Sequence, residues 1–318
     1  MPGFRSWLKR VVVAGLRGCL FYGSLAFVAH VVTRNLGSLP AGVWSVRFLL
    51  VITVLGVLYG MLIILIAVAW GSFLRALGVV ASWPEIIVVY GRTNLAKYLP
   101  GNVFHFAGRQ LVGRDHGWSE FAIFSSTVFE ISLVVLAATL VTTILFAIVP
   151  LEHIPIAGTI SMVSVAVLAG FVIGALVLIF GRRFLPFRAT VERIMALVRS
   201  PAVPISLLLY LVFFCAMGGI TVAMLYGLNG RWVWSLFQQF TVTYTAAWLI
   251  GYISPGAPGG IGVREAALVA LLGPSLGEGT AVSVACGLRC VTILGDLLLF
   301  AACQCLALSR QTRRRSLL

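Results

Sequence analysis

Acidic residues are scarce in this chain: only nine of its 318 residues are Asp or Glu, and only two of these are Asp. Charged residues of both signs make up 10% of the sequence, whereas hydrophobic residues make up 60%. A soluble domain is closer to half apolar and a quarter charged, so the composition excludes an ordinary soluble protein. It predicts an all-α polytopic membrane protein, since helices satisfy their own backbone hydrogen bonds in lipid.

The shortage of carboxylates and histidines also argues against several kinds of chemistry. The acidic residues are not clustered, and the four histidines are dispersed along the chain. We therefore expect no catalytic site, no metal and no cofactor. No P-loop pattern occurs, so the sequence gives no sign of ATP binding. The six cysteines lie in predicted membrane spans, where we interpret them as packing residues.

Long apolar runs predict about seven or eight membrane helices, since each crossing needs about 20 apolar residues. The predicted spans are residues 16–32, 46–70, 121–149, 158–180, 205–227, 233–253 and 281–308. A further apolar stretch at residues 266–272 is too short to cross alone. No small-residue cleavage site follows the first span, so we interpret it as a retained anchor.

Positive charge is distributed unevenly around these spans and gives the chain a formal net charge of +14. Lys and Arg concentrate in residues 5–10, 75–114, 182–199 and 310–315. The positive-inside rule therefore predicts that both termini are cytoplasmic, and we expect an integral protein of the plasma (cell inner) membrane. Most of the arginines would contact anionic lipids rather than nucleic acid. Residues 182–204 are predicted to be a cytoplasmic amphipathic segment, and residues 309–318 a basic tail.

Two segments interrupt the apolar pattern in the same way, each with a Pro-Gly pair, seven further residues and then an Arg. The two sets are Pro100-Gly101 with Arg109 and Pro255-Gly256 with Arg264. A long apolar span with ionisable residues follows each break: these residues are Glu130 in one span and Arg289 and Asp296 in the other. The agreement predicts an inverted or pseudo-symmetric repeat within a single transmembrane domain, with halves near residues 1–150 and 151–318.

A broken backbone at membrane depth must be buried in protein or line a wet cavity. A helix that begins after the break points unpaired N–H groups into that shelter, which suits phosphate or carboxylate. We therefore predict that substrate is bound by Asn94, Lys97, Tyr98, Pro100, Gly101, Asn102, His105, Arg109, Ser254, Pro255, Gly256, Gly259, Gly260, Gly262, Arg264 and Arg289. We assign Glu130, Glu265 and Asp296 to a charge network or to proton coupling.

Simpler interpretations of these residues stay open. One mutually satisfied ion network, without substrate, can include Glu130, Arg264, Glu265, Arg289 and Asp296. Lys97 can be an interface lysine whose charge reaches the membrane surface. His105 can titrate near neutral pH, or it can be a packed, hydrogen-bonded side chain. Tyr90 and Trp118, together with Trp83 and Tyr98, have the spacing of interface aromatics.

The stretch PGGIGVREAALVALL, followed by AVSVACGLRCVTILGDLLL, resembles the transmembrane region of the lysylphosphatidylglycerol synthases, a family also described as flippase-like. The matching residues are Gly260, Gly262, Val263, Arg264, Glu265, Leu272, Ala281, Ala285 and Arg289, with Asn94, Tyr98, Pro100, Gly101, Arg109 and Glu130 in the first half. The resemblance covers about residues 46–308 and implies broken or re-entrant helices that move lipids between leaflets. Some relatives carry a soluble domain that attaches lysine to the lipid. We find no such domain before Leu318 and expect no synthesis of aminoacyl lipid.

The sequence thus favours a lipid translocator for a phospholipid or a polyprenyl-phosphate-linked lipid with an anionic headgroup. Membrane lipids are the expected partners. A second copy of the chain, a synthase or a glycosyltransferase can be a protein partner. Two alternatives stay open. One is a non-transporting scaffold of a lipid- or glycan-synthesis complex. The other is a membrane-embedded transferase, which the scattered carboxylates make less favourable.

Overall fold

The structure is a computed structural model that describes residues 40–99, 103–148, 188–254 and 258–315, together with Thr33 and Gly170. All regular secondary structure in these ranges is helical. The α-helices are α1 (Val46–Ala76), α2 (Trp83–Asn94), α3 (Phe104–Asp115), α4 (Glu120–Ile148), α5 (Arg188–Arg199), α6 (Ala202–Asn229), α7 (Phe237–Ile253), α8 (Val263–Leu276) and α9 (Glu278–Arg315). The predicted spans at 16–32 and 158–180 lie outside the described residues, apart from Gly170.

Four described helices are long and apolar enough to cross a membrane, namely α1, α4, α6 and the Glu278–Ser309 part of α9. They match four of the predicted spans, although α1 continues past the predicted end at residue 70 to Ala76. The predicted span at 233–253 is different, because a 3-10 turn at Trp234–Leu236 precedes α7, which has 17 residues. That helix is shorter than the about 20 residues that a full crossing needs.

The long helices α1 and α6 run antiparallel through the bundle. At one end Arg47 donates to the Gly227 carbonyl oxygen at 3.2 Å, near the C-terminus of α6. Cations are favoured there because the last carbonyl groups of a helix are unpaired and carry partial negative charge. At the other end the Ser206 hydroxyl donates to the Ala69 carbonyl oxygen at 3.1 Å.

Helix α9 lies parallel to α1 and approaches it very closely. Gly287 faces Phe48, and farther along Gly295 faces Gly56 and Gly60. A Cβ atom on Gly295 would lie 2.5 Å from the Gly56 carbonyl oxygen, so a larger residue does not fit without moving a backbone. This contact holds the following residue of α9, Asp296, at the centre of the bundle.

The first hairpin consists of α2 and α3, and its tip is described at residues 95–99 and 103. Gly108 of α3 lies against Thr93 of α2, so the two helices are antiparallel. The hairpin begins beside the C-terminal end of α1, where Trp83 and Ile86 contact Gly71. The guanidinium of Arg75 lies 4.8 Å from the centroid of the Trp83 ring at the same end of the bundle.

The second hairpin consists of α7 and α8, and its tip is described at residues 254 and 258–262. Gln239 donates to the Ser275 hydroxyl at 3.2 Å at its open end, and Gly251 contacts Arg264 near its tip. It begins after the C-terminal end of α6, so it enters the bundle from the end opposite to the first hairpin. The two tips meet inside the bundle, where Gly259 lies against the Tyr98 ring.

The described elements therefore follow the same order twice, with a long helix, a hairpin and a second long helix. Helices α1 and α4 flank the first hairpin, and α6 and α9 flank the second. The predicted halves at residues 1–150 and 151–318 stay a prediction, since residues 149–187 lie outside the described ranges except for Gly170.

The predicted amphipathic segment at 182–204 contains α5, and its side chains are described from Val191 onward. Val191 and Leu197 are buried, whereas Arg193 is exposed and lies 5.8 Å from the Phe121 ring centroid. The last residues of the predicted segment belong to α6, which begins at Ala202, and its cytoplasmic position stays a prediction. A proline precedes that helix, and proline suits a helix start because it lacks a backbone N–H.

Candidate substrate-binding cavity

A cavity of about 130 Å³ lies where the tips of the two hairpins meet. Both hairpins contribute to its wall, together with α1, α4, α6 and α9. Ten residues named from the sequence line it: Asn94, Lys97, Tyr98, His105, Arg109, Glu130, Gly259, Gly260, Arg264 and Arg289. The structure thus brings residues from both breaks to one place, and substrate binding by them stays a prediction.

The other residues named from the sequence do not line the cavity or are not described. Pro100, Gly101, Asn102, Pro255 and Gly256 lie outside the described residues. Ser254 is not in the wall, because its hydroxyl donates to the Ile250 carbonyl oxygen at 2.7 Å in the last turn of α7. Gly262, Glu265 and Asp296 are not in the wall. Glu265 pairs with Arg289 and Asp296 with Lys97, two residues that are, and Gly262 donates its N–H to Glu265.

The first cluster of charged residues is centred on Arg109, whose side chain is almost completely buried. Its Nη1 atom pairs with the Glu130 carboxylate, which also accepts a hydrogen bond of 2.7 Å from the Tyr90 hydroxyl. The guanidinium lies over the Tyr90 ring, 3.8 Å from its centroid. Glu130 and Tyr90 therefore contact Arg109 on two sides. To bind a ligand, Arg109 would have to give up these contacts, which makes it a poor candidate for ligand binding.

Two aromatic residues near this cluster were predicted to be interface aromatics, and that prediction is wrong. Tyr90 is buried and hydrogen-bonded to Glu130. Trp118 is also buried and packs against Trp70, with ring centroids 6.3 Å apart. An aromatic residue near the end of an apolar run has the same sequence pattern whether it faces lipid or the protein interior.

The second cluster joins the tip of the first hairpin to α9 through Asp296. One carboxylate oxygen accepts from Asn94 Nδ2 at 2.7 Å, and the other from the Tyr98 hydroxyl at 2.5 Å. The Lys97 ammonium lies 2.7 Å from the second oxygen. Lys97 is therefore not the interface lysine that its sequence position allowed, because its charge faces a fully buried carboxylate.

The third cluster lies in the second hairpin and leaves one arginine poorly paired. Glu265 accepts from the Gly262 N–H at 2.7 Å, and it pairs with Arg289 through Nε at 2.8 Å and Nη2 at 2.7 Å. Arg264 lies farther away, with Nε 3.7 Å from the nearest Glu265 oxygen. Its Nη2 makes a long contact of 3.4 Å with the Thr292 hydroxyl, and its buried Nε has no hydrogen-bond partner.

The five residues of the ion network that the sequence allowed do not form one network in the structure. The five residues divide among three clusters, and Arg109 and Lys97 supply two of the partners. Four cations, Lys97, Arg109, Arg264 and Arg289, face three carboxylates, Glu130, Glu265 and Asp296. The described part of the site therefore has one cation more than it has carboxylates. The cation without a close carboxylate is Arg264.

His105 lies in α3, outside the four helices long enough to span a membrane. Its ring is buried beside Phe106, with centroids 3.8 Å apart, and its Nδ1 atom has no hydrogen-bond partner. Burial and the positive charges of Arg109 and Lys97 lower the pKa of His105 far below its ordinary value. The imidazole is therefore neutral near pH 7, in contrast to the titrating histidine that the sequence allowed.

Several cavity residues were not identified from the sequence. Thr292 and the aromatic and aliphatic wall, which includes Tyr59, Ile63, Ile66, Phe213, Trp248 and Tyr252, come from apolar helices. Tyr59 carried the only usable signal, as a polar group in the middle of a long apolar run. The other residues match lipid-facing positions in composition, so only the packing of the helices distinguishes them.

A search against protein-family models matches residues 9–299 to the model described as "Lysylphosphatidylglycerol synthase TM region". No curated protein and no solved structure matched the chain. The matched range contains both hairpins and every residue of the cavity wall. The resemblance read from the Gly-rich segment before Arg264 is confirmed, and the chain belongs to the lysylphosphatidylglycerol synthase transmembrane-region family.

Proposed function

We propose that this protein moves a lipid with an anionic, phosphate-containing headgroup between the two leaflets of a membrane. The candidates are a phospholipid and a polyprenyl-phosphate-linked lipid. Membership of a membrane-domain family with lipid-related relatives supports the proposal. The observation that carries it is the poorly paired Arg264 in a cavity where two broken hairpins meet.

We propose further that both hairpins are re-entrant. Their helices have 12, 12, 17 and 14 residues, each shorter than the about 20 that a crossing needs. With the predicted spans at 16–32 and 158–180, the four long helices would give six crossings and two re-entrant hairpins. An even number of crossings places both termini on the same side, which the positive-inside rule makes the cytoplasmic side of the plasma membrane.

The cavity has the two kinds of surface that a lipid headgroup needs. Arg264 and Lys97 can replace the water around a phosphate, whose transfer through hydrocarbon without such partners is very costly. Ile63, Ile66 and Phe213 form an apolar part of the same wall. The acyl or prenyl chain can therefore stay in lipid while the headgroup passes through protein.

The Asp296 cluster can couple binding to opening, because it joins the first hairpin to α9. Protonation of Asp296, or capture of Lys97 by a phosphate, would weaken all contacts between this carboxylate and the hairpin tip. The hairpin could then move relative to the second half, as inverted repeats do in alternating access. Asp296 is thus our candidate for proton coupling, whereas Glu130 and Glu265 hold arginines in place.

A membrane-embedded transferase is less well supported than a translocator. A general base needs a carboxylate or another basic group that is free to accept a proton from substrate. Each carboxylate described at the cavity is held by a cation. A scaffold without transport predicts no effect of cavity substitutions on lipid movement, so the same experiment separates it from a translocator.

The test compares the wild type with Arg264→Gln in vesicles that carry a fluorescent anionic lipid in both leaflets. A membrane-impermeant quencher reports the label that becomes accessible beyond the outer-leaflet half. With the wild type we expect the label of the inner leaflet to become accessible to the quencher. With Arg264→Gln we expect lipid movement to be at least about tenfold slower, since the charge-assisted hydrogen bonds between the arginine and the headgroup are lost. Protection of the inner label by the wild type would contradict the proposal.

The matched control is Arg114→Gln, which removes an equal charge from an exposed pair with Glu120, 3.8 Å apart. Exposed ion pairs contribute little to stability, so this variant should move lipid at the wild-type rate. Size-exclusion profiles and melting curves would establish that equal amounts of folded protein are compared. Equal loss in both variants would point to a general charge effect and not to the cavity.

A further inference from the structure

The cavity has no carboxylate available for a positively charged headgroup among its described residues. Asp296 accepts from Asn94, Lys97 and Tyr98, and Glu265 is bound by Gly262 and by Arg289 through two nitrogens. The third carboxylate, Glu130, is held by Arg109 and Tyr90. An ammonium group entering the cavity would have to displace one of these cations.

The aromatic faces that could attract an ammonium group are also largely used by cations of the protein itself. Arg109 lies over Tyr90 and within 5.5 Å of the Phe106 centroid. Lys97 lies 5.4 Å from the Tyr98 centroid and 6.0 Å from that of Tyr59. Trp248 and Tyr252 stack on each other, with centroids 4.6 Å apart. Among the residues that the structure describes, the site therefore shows no open aromatic cage of the kind that recognises alkylammonium ligands.

The same cavity has unused capacity for an anion. Arg264 is 7% exposed, lines the cavity and keeps a buried Nε without a hydrogen-bond partner. The Tyr244 ring centroid is 5.9 Å from this guanidinium, and its buried hydroxyl is also without a partner. A buried charged donor without an acceptor is costly, and a phosphate oxygen would satisfy it.

The cavity has room for a phosphate. Its volume of about 130 Å³ is close to the about 150 Å³ of an engineered cavity that binds benzene. One phosphate-sized group therefore fits, and the charges of the wall decide between the headgroups that carry a phosphate.

We infer that the transported lipid carries a phosphate and no ammonium group, as in a lipid monophosphate, and that zwitterionic and aminoacylated lipids are poor substrates. The inference rests on the proposed function and specifies the substrate class of the same cavity. Arg264 is the residue that would select for it, since the positive charge left over at the site is its own. Lys97 would contribute when the phosphate competes with Asp296.

The experiment measures wild-type transport of four lipids labelled on the apolar chain, so that each headgroup is unmodified. They are phosphatidic acid, a polyprenyl monophosphate, phosphatidylethanolamine and lysylphosphatidylglycerol. We expect at least one monophosphate to move about tenfold faster than both amine-containing lipids. Equal rates, or faster movement of either amine lipid, would overturn the inference and leave translocation standing. Failure of all four to move would overturn the proposed function as well.

A second measurement uses small ions to inhibit the wild-type protein, so its result does not depend on whether a variant folds. Inorganic phosphate should slow wild-type transport of the faster monophosphate, whereas chloride at equal ionic strength and the cation lysine methyl ester should not. Inhibition by lysine methyl ester instead of phosphate would contradict the inference. In Arg264→Gln, the preference for monophosphate over phosphatidylethanolamine should fall towards one, and in Arg114→Gln it should be unchanged.

Discussion

The two hairpins share a sequence pattern but use their arginines differently. In the first hairpin Arg109 is 1% exposed and pairs directly with Glu130. In the second, Glu265 beside Arg264 is already paired with Arg289 at 2.7 Å. The same spacing from a Pro-Gly pair thus places an arginine beside the cavity in both hairpins. The partners on the neighbouring helices decide whether that arginine has a close carboxylate, as Arg109 does, or lacks one, as Arg264 does.

The largest expected effect comes from breaking the pair in the first hairpin. Glu130→Ala leaves Arg109 buried without a carboxylate, and removal of one member of a buried ion pair costs about 3–5 kcal/mol. We expect a large fall in the free energy of unfolding, measured by denaturant titration in mixed micelles. The double variant Arg109→Met with Glu130→Leu should recover part of it, because no unpaired charge remains. Wild-type stability of Glu130→Ala would contradict a structural role for Arg109.

Asp296→Asn should lower the free energy of unfolding by a smaller amount, because it weakens the contact between α9 and the tip of the first hairpin. The new amide keeps the shape of the carboxylate but loses its charge, so the Lys97 ammonium is left without its partner. A charge-assisted hydrogen bond contributes about 1.5–3 kcal/mol, and we expect a loss of that order in the free energy of unfolding.

Hydrogen exchange gives a sharper measurement on the same variant. In Asp296→Asn, the amides of residues 95–99 should exchange faster, while those of α8 should not change, since Asp296 binds the tip of the first hairpin alone. Asp115→Asn in the basic segment is the matched control, because it makes the same change at an exposed position. Equal acceleration in both hairpins would show that the Asp296 cluster does not act on the first hairpin selectively.

The sequence predicted the elements well and their partners poorly. Long apolar runs identified α1, α4, α6 and α9, because about 20 apolar residues are needed wherever a helix crosses lipid. Each Pro-Gly pair lies in the sequence between the two helices of a hairpin, since proline does not fit the interior of a helix. Asp296 and Lys97, in contrast, are brought together by the packing of the first hairpin on α9. Arg289 has the appropriate charge for Asp296 and lies in the same helix, yet it pairs with Glu265.

A smaller effect is expected where the two tips touch. Gly259 has φ +55° and lies against the Tyr98 ring, so an added Cβ would sit 3.2 Å from that ring in a left-handed backbone conformation. Gly259→Ala should therefore cost about 1–2 kcal/mol in the free energy of unfolding. Gly219→Ala is the matched control, because Gly219 lies within α6 and the atom nearest to an added Cβ is 3.9 Å away. Alanine there should stabilise by about 0.5–1 kcal/mol, and equal effects at both positions would contradict the contact.

The smallest expected change in stability completes the comparison of the two arginines. Arg264→Gln removes a cation that has no close carboxylate and leaves a shorter, neutral polar side chain at that position. We expect the free energy of unfolding to change by no more than about 1 kcal/mol, because the lost pairing is weak and repulsion from Lys97 and Arg289 is relieved. Denaturant titration of this variant beside Glu130→Ala measures the difference. A loss as large as that of Glu130→Ala would make Arg264 structural as well. A stable protein that no longer moves lipid would separate binding from folding at this position.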